Sequence, residues 1–589
     1  MQSRRLVLWA LVGLVLCGAA LRLYALDAVP LRGDEAFSAR FWAAPPAQTW
    51  DDLAGWEPHP FGTFVLFHAW RTIAGESEFA LRALPALGNL IGSATLAALG
   101  HRLFGTWRAG LIVAVLWTVN PFQVWHAQDL RNYALWSAAS PLAMWLFLRA
   151  LEHNRPRDWL LYGFTSLIAL NLFFLEVFFV IVQGLYVVIF ARARWRPALL
   201  TWAGMAPFLL PWIVQGVRLL GSDYAGTAIP VSLTVFMQTF VPTLLFGARE
   251  VSLISGAALL LILFTGLARG GDARVRGLLA LWLAVPVALL MFAGTQSSVF
   301  RPRYIIPITP ALLLALWWIA ERAARRTSLV PTAILVTLGF TSGLGLYEYF
   351  VTDPAKSPDW RLAAEYLNER TAPGDIVVLT SSDPAFRFYY DGPAADITID
   401  EVQNAQTLLR QYNGIFIQGG DETFALAQTL QEAAQFIPPA VPIMRQFRAY
   451  ETSPGEISLP LDVQVGDVAR LRGYTIHAAD AFGATIFLYW EPLRQTEGER
   501  VGFVHLLAPE GPQVIAQDDH APLNGAAPTF AWVPGGLLRD VYFMRPPPGT
   551  YRAIMGMYDA ETTQRLTLSQ NGTPLGDALS LDTILIPAR

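Results

Sequence analysis

The first 350 residues are a succession of long apolar runs, separated by short loops that contain arginine. A helix that crosses a bilayer needs about 20 mostly apolar residues. Eleven runs approach or reach that length, at residues 6–26, 82–104, 108–125, 133–151, 158–172, 174–192, 197–216, 250–268, 276–294, 304–322 and 328–350. Only 15% of all residues are charged, against about 25% in soluble domains. The sequence therefore predicts a polytopic membrane protein and excludes a single soluble enzyme.

The basic loops predict the orientation of this helical part, because cytoplasmic loops carry an excess of Lys and Arg. With eleven spans and a cytoplasmic N-terminus, all of them fall on one side: Arg4-Arg5, His101-Arg102 with Arg108, Arg155 with Arg157, Arg192 to Arg196, Arg269 with Arg274 and Arg276, and Arg322 with Arg325-Arg326. Loops 27–81, 126–132, 217–249 and 295–303 are then extracytoplasmic, with the whole C-terminal half. Phe61 to Ala74 and Val231 to Phe246 are too short to span and are predicted as helices in the membrane interface.

The composition becomes that of a soluble protein after Lys356, which is the only lysine. Residues 351–453 are predicted to form an α/β domain, with helices at 360–370 and 402–412 and strands at 375–380 and 415–418. Residues 454–589 contain short alternating strands, such as 485–489, 502–507 and 551–558, a pattern typical of a β-sandwich. The predicted fold is thus an α-helical membrane domain, 1–350, followed by two extracytoplasmic domains.

Three polar groups lie on the predicted outer side, and charges kept at a membrane domain often serve function. They are Arg32-Gly33-Asp34-Glu35, Gln128-Asp129-Leu130-Arg131-Asn132-Tyr133 and Phe300-Arg301-Pro302-Arg303-Tyr304. Taken singly, they are also explained as solvated charges at a helix start, an interfacial Asp–Arg pair and arginines anchored to lipid headgroups. Taken together, they predict one site with a carboxylate pair, a further acid and an arginine pair for a phosphate.

Several short motifs occur in a fixed order through the helical part. They are Gly33-Asp34-Glu35-Ala36-Phe37, His59-Pro60, Phe79-Ala80-Leu81-Arg82 with Pro85, His101-Arg102-Leu103-Phe104-Gly105, Ala127 to Leu135, and Val299 to Pro310. In this order they resemble the GT-C class of integral-membrane glycosyltransferases, specifically family 39, the protein O-mannosyltransferases and their bacterial relatives, including the aminoarabinose transferases of lipid A. The resemblance covers residues 1–350 and extends more loosely to Asp359-Trp360-Arg361.

The resemblance implies transfer of a sugar, with inversion, from a polyprenyl-phosphate donor to an acceptor on the outer face. It implies that Asp34 is the general base, that Glu35 shapes its pKa and binds the acceptor, and that Asp129 is a further catalytic acid. Arg82, Arg131, Arg301 and Arg303 are the candidates for the donor phosphate, and Tyr133, Tyr304 and His59 are predicted to line the same donor site. Glu176 stands where many bacterial relatives carry a histidine, and the absence of lysine before residue 350 leaves phosphate contacts to arginine.

No cofactor is predicted, since most members of this family need no metal. A divalent metal held by His59, His68 or His126 with the carboxylates is the alternative. The single Cys17 excludes a disulfide framework, and the net charge of -4 gives no reason to expect nucleic acid. Two other functions remain open: a transporter or flippase for a lipid-linked sugar, and a membrane-anchored surface protein whose sandwich binds carbohydrate through residues such as Trp532 and Tyr551. Neither the sugar nor the acceptor is predicted.

Overall fold

The computed structural model describes residues 2–53, 59–220, 231–247, 252–268, 271–296, 300–352, 356–438 and 441–588. Arg269 of the predicted basic loops and Val299 of the family motifs lie outside these ranges. The chain forms two compact units, Met1–Ser357 and Pro358–Arg589. The first unit is helical, and the second contains all the strands that the structure describes.

The first unit, called the membrane unit here, is built from eighteen described α-helices. They are α1 (Gln2–Leu23), α2 (Gly33–Ala43), α3 (Pro46–Leu53), α4 (Phe61–Ala74), α5 (Glu78–Phe104), α6 (Trp107–Thr118), α7 (Pro121–Ala127), α8 (Tyr133–His153), α9 (Pro156–Leu172), α10 (Val177–Phe190), α11 (Trp195–Met205), α12 (Leu210–Leu220), α13 (Leu233–Val235), α14 (Val241–Phe246), α15 (Leu253–Ala268), α16 (Ala273–Gln296), α17 (Thr309–Ala324) and α18 (Leu329–Tyr347). Each of the eleven predicted runs overlaps at least one of these helices.

Seven helical segments in the described ranges are long and apolar enough to cross a membrane. They are Arg5–Leu23, Glu78–Phe104, Tyr133–His153, Arg192–Arg218, Ala273–Thr295, Pro302–Ala324 and Leu329–Thr352. Four shorter apolar helices, Trp107–Thr118, Phe174–Phe190, Leu233–Phe246 and Leu253–Ala268, accompany them. The predicted fold class is confirmed: a multi-pass helical unit is followed by a unit that ends in β-structure.

Helix α4 matches the predicted segment Phe61 to Ala74 at both ends. Thr63, Phe64 and Phe67 are buried on one side of the helix, whereas the apolar side chain of Ile73 is 82% exposed. Its hydroxyl-bearing face contacts α9, where Thr63 donates to the carbonyls of Asn171 and Leu172, both at 2.9 Å. The helix is thereby fixed to the bundle, while its position in the membrane interface stays a prediction.

The second unit begins with a five-stranded sheet flanked by helices α19 (Trp360–Arg370), α20 (Phe386–Tyr389), α21 (Ala405–Gln411) and α22 (Asp421–Ala433). Its strands are β1 (Ile376–Leu379), β2 (Ala395–Thr398), β3 (Ile415–Gln418), β4 (Ala434–Ile437) and β5 (Met444–Ala449), in the order β2-β1-β3-β5-β4. Strands β1 and β3 are buried on both faces and pair in parallel, as continuous apolar runs predict. The predicted helix 402–412 is wrong at its start, because Asn404 caps the helix there by accepting from the backbone N–H of Thr407.

The remaining strands form two antiparallel sheets that face each other across one apolar core. They are β6 (Leu459–Val465), β7 (Ala469–Asp480), β8 (Gly483–Pro492), β9 (Arg500–Leu507), β10 (Val514–His520), β11 (Leu538–Met544), β12 (Gly549–Asp559), β13 (Leu568–Gln570), β14 (Thr573–Gly576) and β15 (Leu579–Ile586). One sheet has the order β10-β9-β12-β15 and the other β11-β8-β7-β6-β13-β14. Trp490, Trp532 and Tyr551 lie in the core between them, which favours a packing role for these aromatic residues.

The membrane unit extends to Ser357, seven residues beyond the predicted boundary at residue 350. After α18 the chain continues as a π-helix, Glu348–Thr352, and returns to the segment between α7 and α8. There, Tyr349 Oη donates to the side-chain oxygen of Gln128 at 2.6 Å, and Lys356 Nζ donates to the carbonyl of Gln128 at 2.6 Å. Lys356 therefore belongs to the membrane unit, which corrects the expectation that this part has no lysine.

Candidate functional site

Side chains from four segments meet at one end of the helical bundle. The segments are Arg32 with the first turn of α2, the N-terminal part of α5 up to Arg82, residues 128–132 between α7 and α8, and the 3₁₀ helix Pro302–Ile308 that precedes α17. All three polar groups that the sequence singled out lie in these segments. A continuous set of hydrogen bonds and ion pairs joins them, so the prediction that they lie close together agrees with the geometry.

Arg82 is a structural cation of this site. Its Nε and Nη2 atoms donate to the carboxylate oxygens of Glu35 at 2.7 and 2.8 Å. Its other N–H groups donate to the carbonyls of Leu26, Val29 and Pro30 at 2.9, 2.7 and 3.0 Å. A guanidinium has five N–H donors, and all five are used within the protein. This corrects the expectation that Arg82 binds a donor phosphate.

Glu35 is completely buried opposite Arg82. Besides the two bonds from Arg82, its carboxylate accepts from the backbone N–H groups of Leu130 at 2.8 Å and Arg32 at 3.1 Å. The bond from Arg32 closes the first turn of α2, and the bond from Leu130 connects α2 to the segment before α8. Glu35 therefore holds the site together, and no part of its carboxylate is exposed for the acceptor contact that the resemblance implies.

Asp129 is also completely buried and is held by Arg32. Arg32 Nε donates to Oδ1 and Nη2 donates to Oδ2, both at 2.8 Å. Burial alone would raise the pKa of Asp129, but the charge of Arg32 and its hydrogen bonds lower that pKa well below the usual range. The structure thus gives Asp129 the role of orienting Arg32, and its predicted catalytic role would have to act through that arginine.

Asp34 is the exposed carboxylate of the three, since 43% of its side chain is accessible. Its Oδ2 atom accepts from Arg32 Nη1 at 2.7 Å and lies 3.6 Å from Nη1 of Arg303. Burial raises the pKa of Asp34, but the charges of Arg32, Arg131 and Arg303 outweigh it and lower the pKa to about 2. Asp34 is therefore ionised throughout the physiological pH range, and its role as the general base stays a prediction.

Arg303 lies beside Asp34 and is fixed mainly by aromatic rings. Its guanidinium carbon is 5.5 Å from the ring centre of Tyr133 and 5.4 Å from that of Tyr304. Among the described residues its buried Nε atom has no hydrogen-bond partner, and 24% of its side chain is exposed. Unlike Arg82, it keeps donor capacity that an anion next to Asp34 can use.

Arg131 and His59 line the other side of Asp34. Arg131 Nη1 donates to the hydroxyl of Ser38 at 2.7 Å and to the Asp34 carbonyl at 3.4 Å. Arg131 Nη2 lies 3.2 Å from Nε2 of His59. The phenol oxygen of Tyr133 is buried and has no hydrogen-bond partner in the described ranges. The half-buried Arg301 caps the Pro302–Ile308 helix through its carbonyl, which accepts from the N–H of Tyr304 at 3.1 Å.

Glu176 lies deeper in the bundle than the other predicted site residues. It is fully buried, and its Oε2 atom accepts from the indole N–H of Trp136 at 2.7 Å. Trp136 packs against Phe173, which in turn packs against Tyr133 and Tyr304. An aromatic layer thus separates Glu176 from the ion pairs around Asp34, and a direct substrate contact stays a prediction.

Sequence reasoning missed Lys356 as part of this site. Its ammonium lies 4.8 Å from the ring centre of Trp125, beside the carbonyl of Gln128. Burial lowers the pKa of Lys356 to about 8, although the charges of Glu35 and Asp129 partly oppose that change. The sequence signal was the uniqueness of this lysine, but its position depends on the chain returning from α18.

The three histidines of the metal alternative lie in separate surroundings. His59 contacts Arg131, His68 Nδ1 lies 2.8 Å from the carbonyl of Trp42, and His126 packs against Phe122 and Tyr133. Over the ranges that the structure describes, no three His, Cys, Asp or Glu residues are grouped in a way that could hold a metal ion. The expectation that no cofactor is needed stays a prediction.

Residues 58–222 match the sequence model of the family described as dolichyl-phosphate-mannose-protein mannosyltransferase. This part of the chain is thus similar to the protein mannosyltransferases. The match confirms the resemblance predicted from the motifs. The matched segment includes Arg82, Asp129 and Arg131, while Asp34 and Arg303 lie on either side of it.

The chain also matches several solved structures at low identity. ArnT from Cupriavidus metallidurans in the apo state has 15% identity and a TM-score of 0.49, covering 74% of this chain and 97% of ArnT. The same protein bound to undecaprenyl phosphate has 14% identity and a TM-score of 0.47, with the same coverage. The oligosaccharyltransferase of Archaeoglobus fulgidus, tethered to an acceptor peptide, has 9% identity and a TM-score of 0.43, covering 99% of this chain and 97% of that one. No curated protein sequence matches the chain.

Proposed function

We propose that the chain is an inverting glycosyltransferase that takes a sugar from a polyprenyl-phosphate donor and transfers it to an acceptor at the extracytoplasmic face. The observation that carries this proposal is the pairing of Asp34 with Arg303 at 3.6 Å. It puts an accessible carboxylate beside a guanidinium that has unused donor capacity. The match of residues 58–222 supports the donor class, because the dolichyl phosphate mannose in that family's description is a polyprenyl-phosphate sugar.

The two side chains divide the chemistry of an inverting transfer between them. Asp34 takes the proton of the acceptor hydroxyl while the acceptor oxygen forms its bond to the anomeric carbon. The bond between that carbon and the phosphate oxygen breaks, and its electron pair leaves with the polyprenyl phosphate. Arg303 stabilises the negative charge that grows on this phosphate. A phosphate leaves readily as an anion, so no strong general acid is required.

Binding of the donor also adjusts Asp34. In the structure Arg303 is one of three arginines whose charges lower the pKa of Asp34. A donor phosphate that approaches Arg303 brings negative charge close to Asp34 and neutralises part of that effect. The pKa of Asp34 therefore rises when donor is bound, which makes the carboxylate a better proton acceptor at the stage when the acceptor attacks.

An apolar cavity near Arg303 suits the polyprenyl chain. It has a volume of about 650 Å³ and lies between α10, α15, α16 and α17. Ile308, at the end of the 3₁₀ helix that carries Arg303, and Leu312 line it, together with Val287 of α16. A donor whose phosphate contacts Arg303 can thus place its first prenyl units in a cavity with almost entirely apolar walls.

The proposal is tested with the purified full-length protein in detergent. It is incubated with a panel of radiolabelled polyprenyl-phosphate sugars, and release of the sugar is followed by chromatography with and without membrane extract as acceptor. We expect one donor to be consumed by the wild type and to be spared by Asp34→Asn. Consumption of no donor, or equal consumption by both proteins, contradicts the proposal. If the protein moved intact donor across the membrane of proteoliposomes without consuming it, the alternative function as a transporter would be favoured.

A further inference from the structure

A second groove lies between α9 and α11, on the surface of the membrane unit. It has a volume of about 760 Å³. Its walls are apolar and strongly exposed, with Leu160 74%, Leu200 73% and Phe208 66% accessible. Gly163 and Gly204 also line it, and a Cβ atom on Gly204 would have no neighbour within 4 Å. The groove is thus open to a flexible apolar chain from the side.

The groove is about as long as one leaflet of a bilayer is thick. Its lining residues run from Pro156 to Leu167 on α9 and from Arg196 to Phe208 on the neighbouring chain. The last lining residue lies eleven residues after the first on α9 and twelve residues after the first on the neighbouring chain. At a helical rise of 1.5 Å per residue, each wall of the groove is about 16–18 Å long. Half of a hydrocarbon core of about 30 Å is about 15 Å. One lipid acyl chain therefore matches the groove from the membrane surface to the midplane.

Arginines surround one end of this groove. Arg196 lines it, and Arg155, Arg157, Arg192 and Arg194 lie in the adjacent helix starts. The nearby carboxylates do not neutralise this cluster: Glu152 pairs with Arg102, and Asp158 pairs with Arg149. In the described part of the chain, none of the five arginines of the cluster forms an ion pair with a carboxylate. The end of the groove therefore carries a net positive charge.

The cluster is remote from the candidate active site. The far end of α9, at Leu172, accepts hydrogen bonds from Thr63 and Asn132, which belong to the side of the bundle that carries Asp34. The arginines lie at the opposite end of α9, beyond 17 helical residues. The groove is thus a feature of the other membrane face, and the donor site does not account for it.

We propose that the α9–α11 groove binds one anionic phospholipid, with an acyl chain between the helices and the phosphate at Arg196. The acyl chain matches the apolar walls, which are about as long as one leaflet is thick. The anionic phosphate matches the excess of arginine at the end of the groove. Basic pockets between membrane helices bind anionic headgroups in this way. A zwitterionic lipid has the same chains but lacks the net charge, so the groove discriminates by headgroup.

The test uses the full-length protein and two lipids with identical acyl chains, dioleoyl phosphatidylglycerol and dioleoyl phosphatidylcholine. Each is titrated into the protein in detergent, and bound lipid is counted by native mass spectrometry. We expect one phosphatidylglycerol to bind at least about tenfold more tightly than phosphatidylcholine. Each neutralised arginine should weaken binding about fivefold, so that Arg155→Gln with Arg196→Gln should weaken it about 25-fold. Arg325→Gln with Arg326→Gln, at the end of α17, is the matched control and should retain the lipid.

A second variant tests the groove itself. Gly204→Leu fills open space in the groove, whereas Gly339→Leu fills equally open space on α18 outside it. We expect Gly204→Leu to lose the bound phosphatidylglycerol and Gly339→Leu to keep it, with equal melting temperatures. If phosphatidylglycerol and phosphatidylcholine bind equally tightly to the wild type, the proposal is overturned whatever the variants show. Retention of the lipid by Gly204→Leu also overturns it. A wild-type dimer that Gly204→Leu converts to monomer would overturn it as well, since a second copy of the chain would then occupy the groove.

Discussion

Arg32 binds Asp129 with two parallel hydrogen bonds of 2.8 Å, and with its remaining edge it donates to Asp34 at 2.7 Å. One guanidinium thus connects a completely buried carboxylate to one that is 43% exposed. The buried partner fixes the arginine, and the arginine fixes the exposed partner. Asp129 and Asp34 therefore differ in their exposure, a difference that the sequence did not show.

Asp34→Asn should slow transfer strongly while leaving the protein folded. The amide keeps the size of the carboxylate but cannot accept the acceptor proton, and a positioned base contributes about 10²- to 10⁴-fold to the rate. Donor turnover and thermal unfolding in detergent measure the two effects. Glu35→Gln should instead lower stability by about 3–5 kcal/mol, because it leaves Arg82 buried without its counter-ion. A fully stable but inactive Glu35→Gln protein would show that Glu35 takes part in the chemistry.

Arg303→Ala should weaken use of the donor by more than about tenfold, because a hydrogen bond to a charged group contributes about 1.5–3 kcal/mol. The effect should appear in kcat/KM for the donor while the protein inserts and unfolds as the wild type does. Arg410→Ala, on the exposed helix α21, is the matched control for loss of an arginine. If kcat/KM stays unchanged in Arg303→Ala but falls in Arg131→Ala, the phosphate lies on the His59 side of Asp34.

The pH dependence should differ between kcat/KM and kcat. The free protein holds the pKa of Asp34 at about 2, so kcat/KM should not decline on the acid side down to about pH 5. A bound donor phosphate offsets the charge of Arg303 and raises that pKa. The acid limb of kcat, which reports the donor complex, should therefore begin at a higher pH than that of kcat/KM. Coincident acid limbs, measured in the same buffers, would contradict this coupling.

The second unit should be reached by reagents from outside the cell. All predicted basic loops then face the cytoplasm, as the positive-inside rule requires. A cysteine at the exposed Glu561, introduced as Glu561→Cys in a Cys17→Ser background, should react with an impermeant maleimide in intact cells. A cysteine at Arg325, in a predicted cytoplasmic loop, should react only after lysis. The reverse pattern would invert the orientation of the whole chain.

The sequence predicted the helical part well, because each apolar run must form a helix in a bilayer and leaves little choice of structure. The sequence also predicted that the three polar groups lie together on one side of the membrane part. It did not show which of Asp34 and Glu35 is buried, because neighbouring residues differ by about 100° around a helix and the pattern does not say which one turns inward. The decisive partner, Arg82, lies 47 residues further along the chain.

Lys356 shows a second limit of the sequence. Composition assigned it to the soluble half because charges become frequent after it. In the structure its ammonium lies 4.8 Å from the ring centre of Trp125 and 5.8 Å from that of Tyr349, and it donates to the carbonyl of Gln128. A contact over 228 residues leaves no local pattern, because loop closure over such a distance depends on the complete bundle.

The side chain of Gln128 has a consequence for how the protein is made. Its amide nitrogen donates to the carbonyls of Leu21, Arg22 and Tyr24 at the end of α1, and its oxygen accepts from Tyr349, 221 residues later. A chain is synthesised from its N-terminus. The bonds from Gln128 to the end of α1 can therefore form early, whereas the bond to Tyr349 cannot form until residue 349 has been synthesised. During translation the loop that carries Asp129 is thus tethered on one side only. A chain truncated before Tyr349 would therefore lack the bond that holds this loop from its second side.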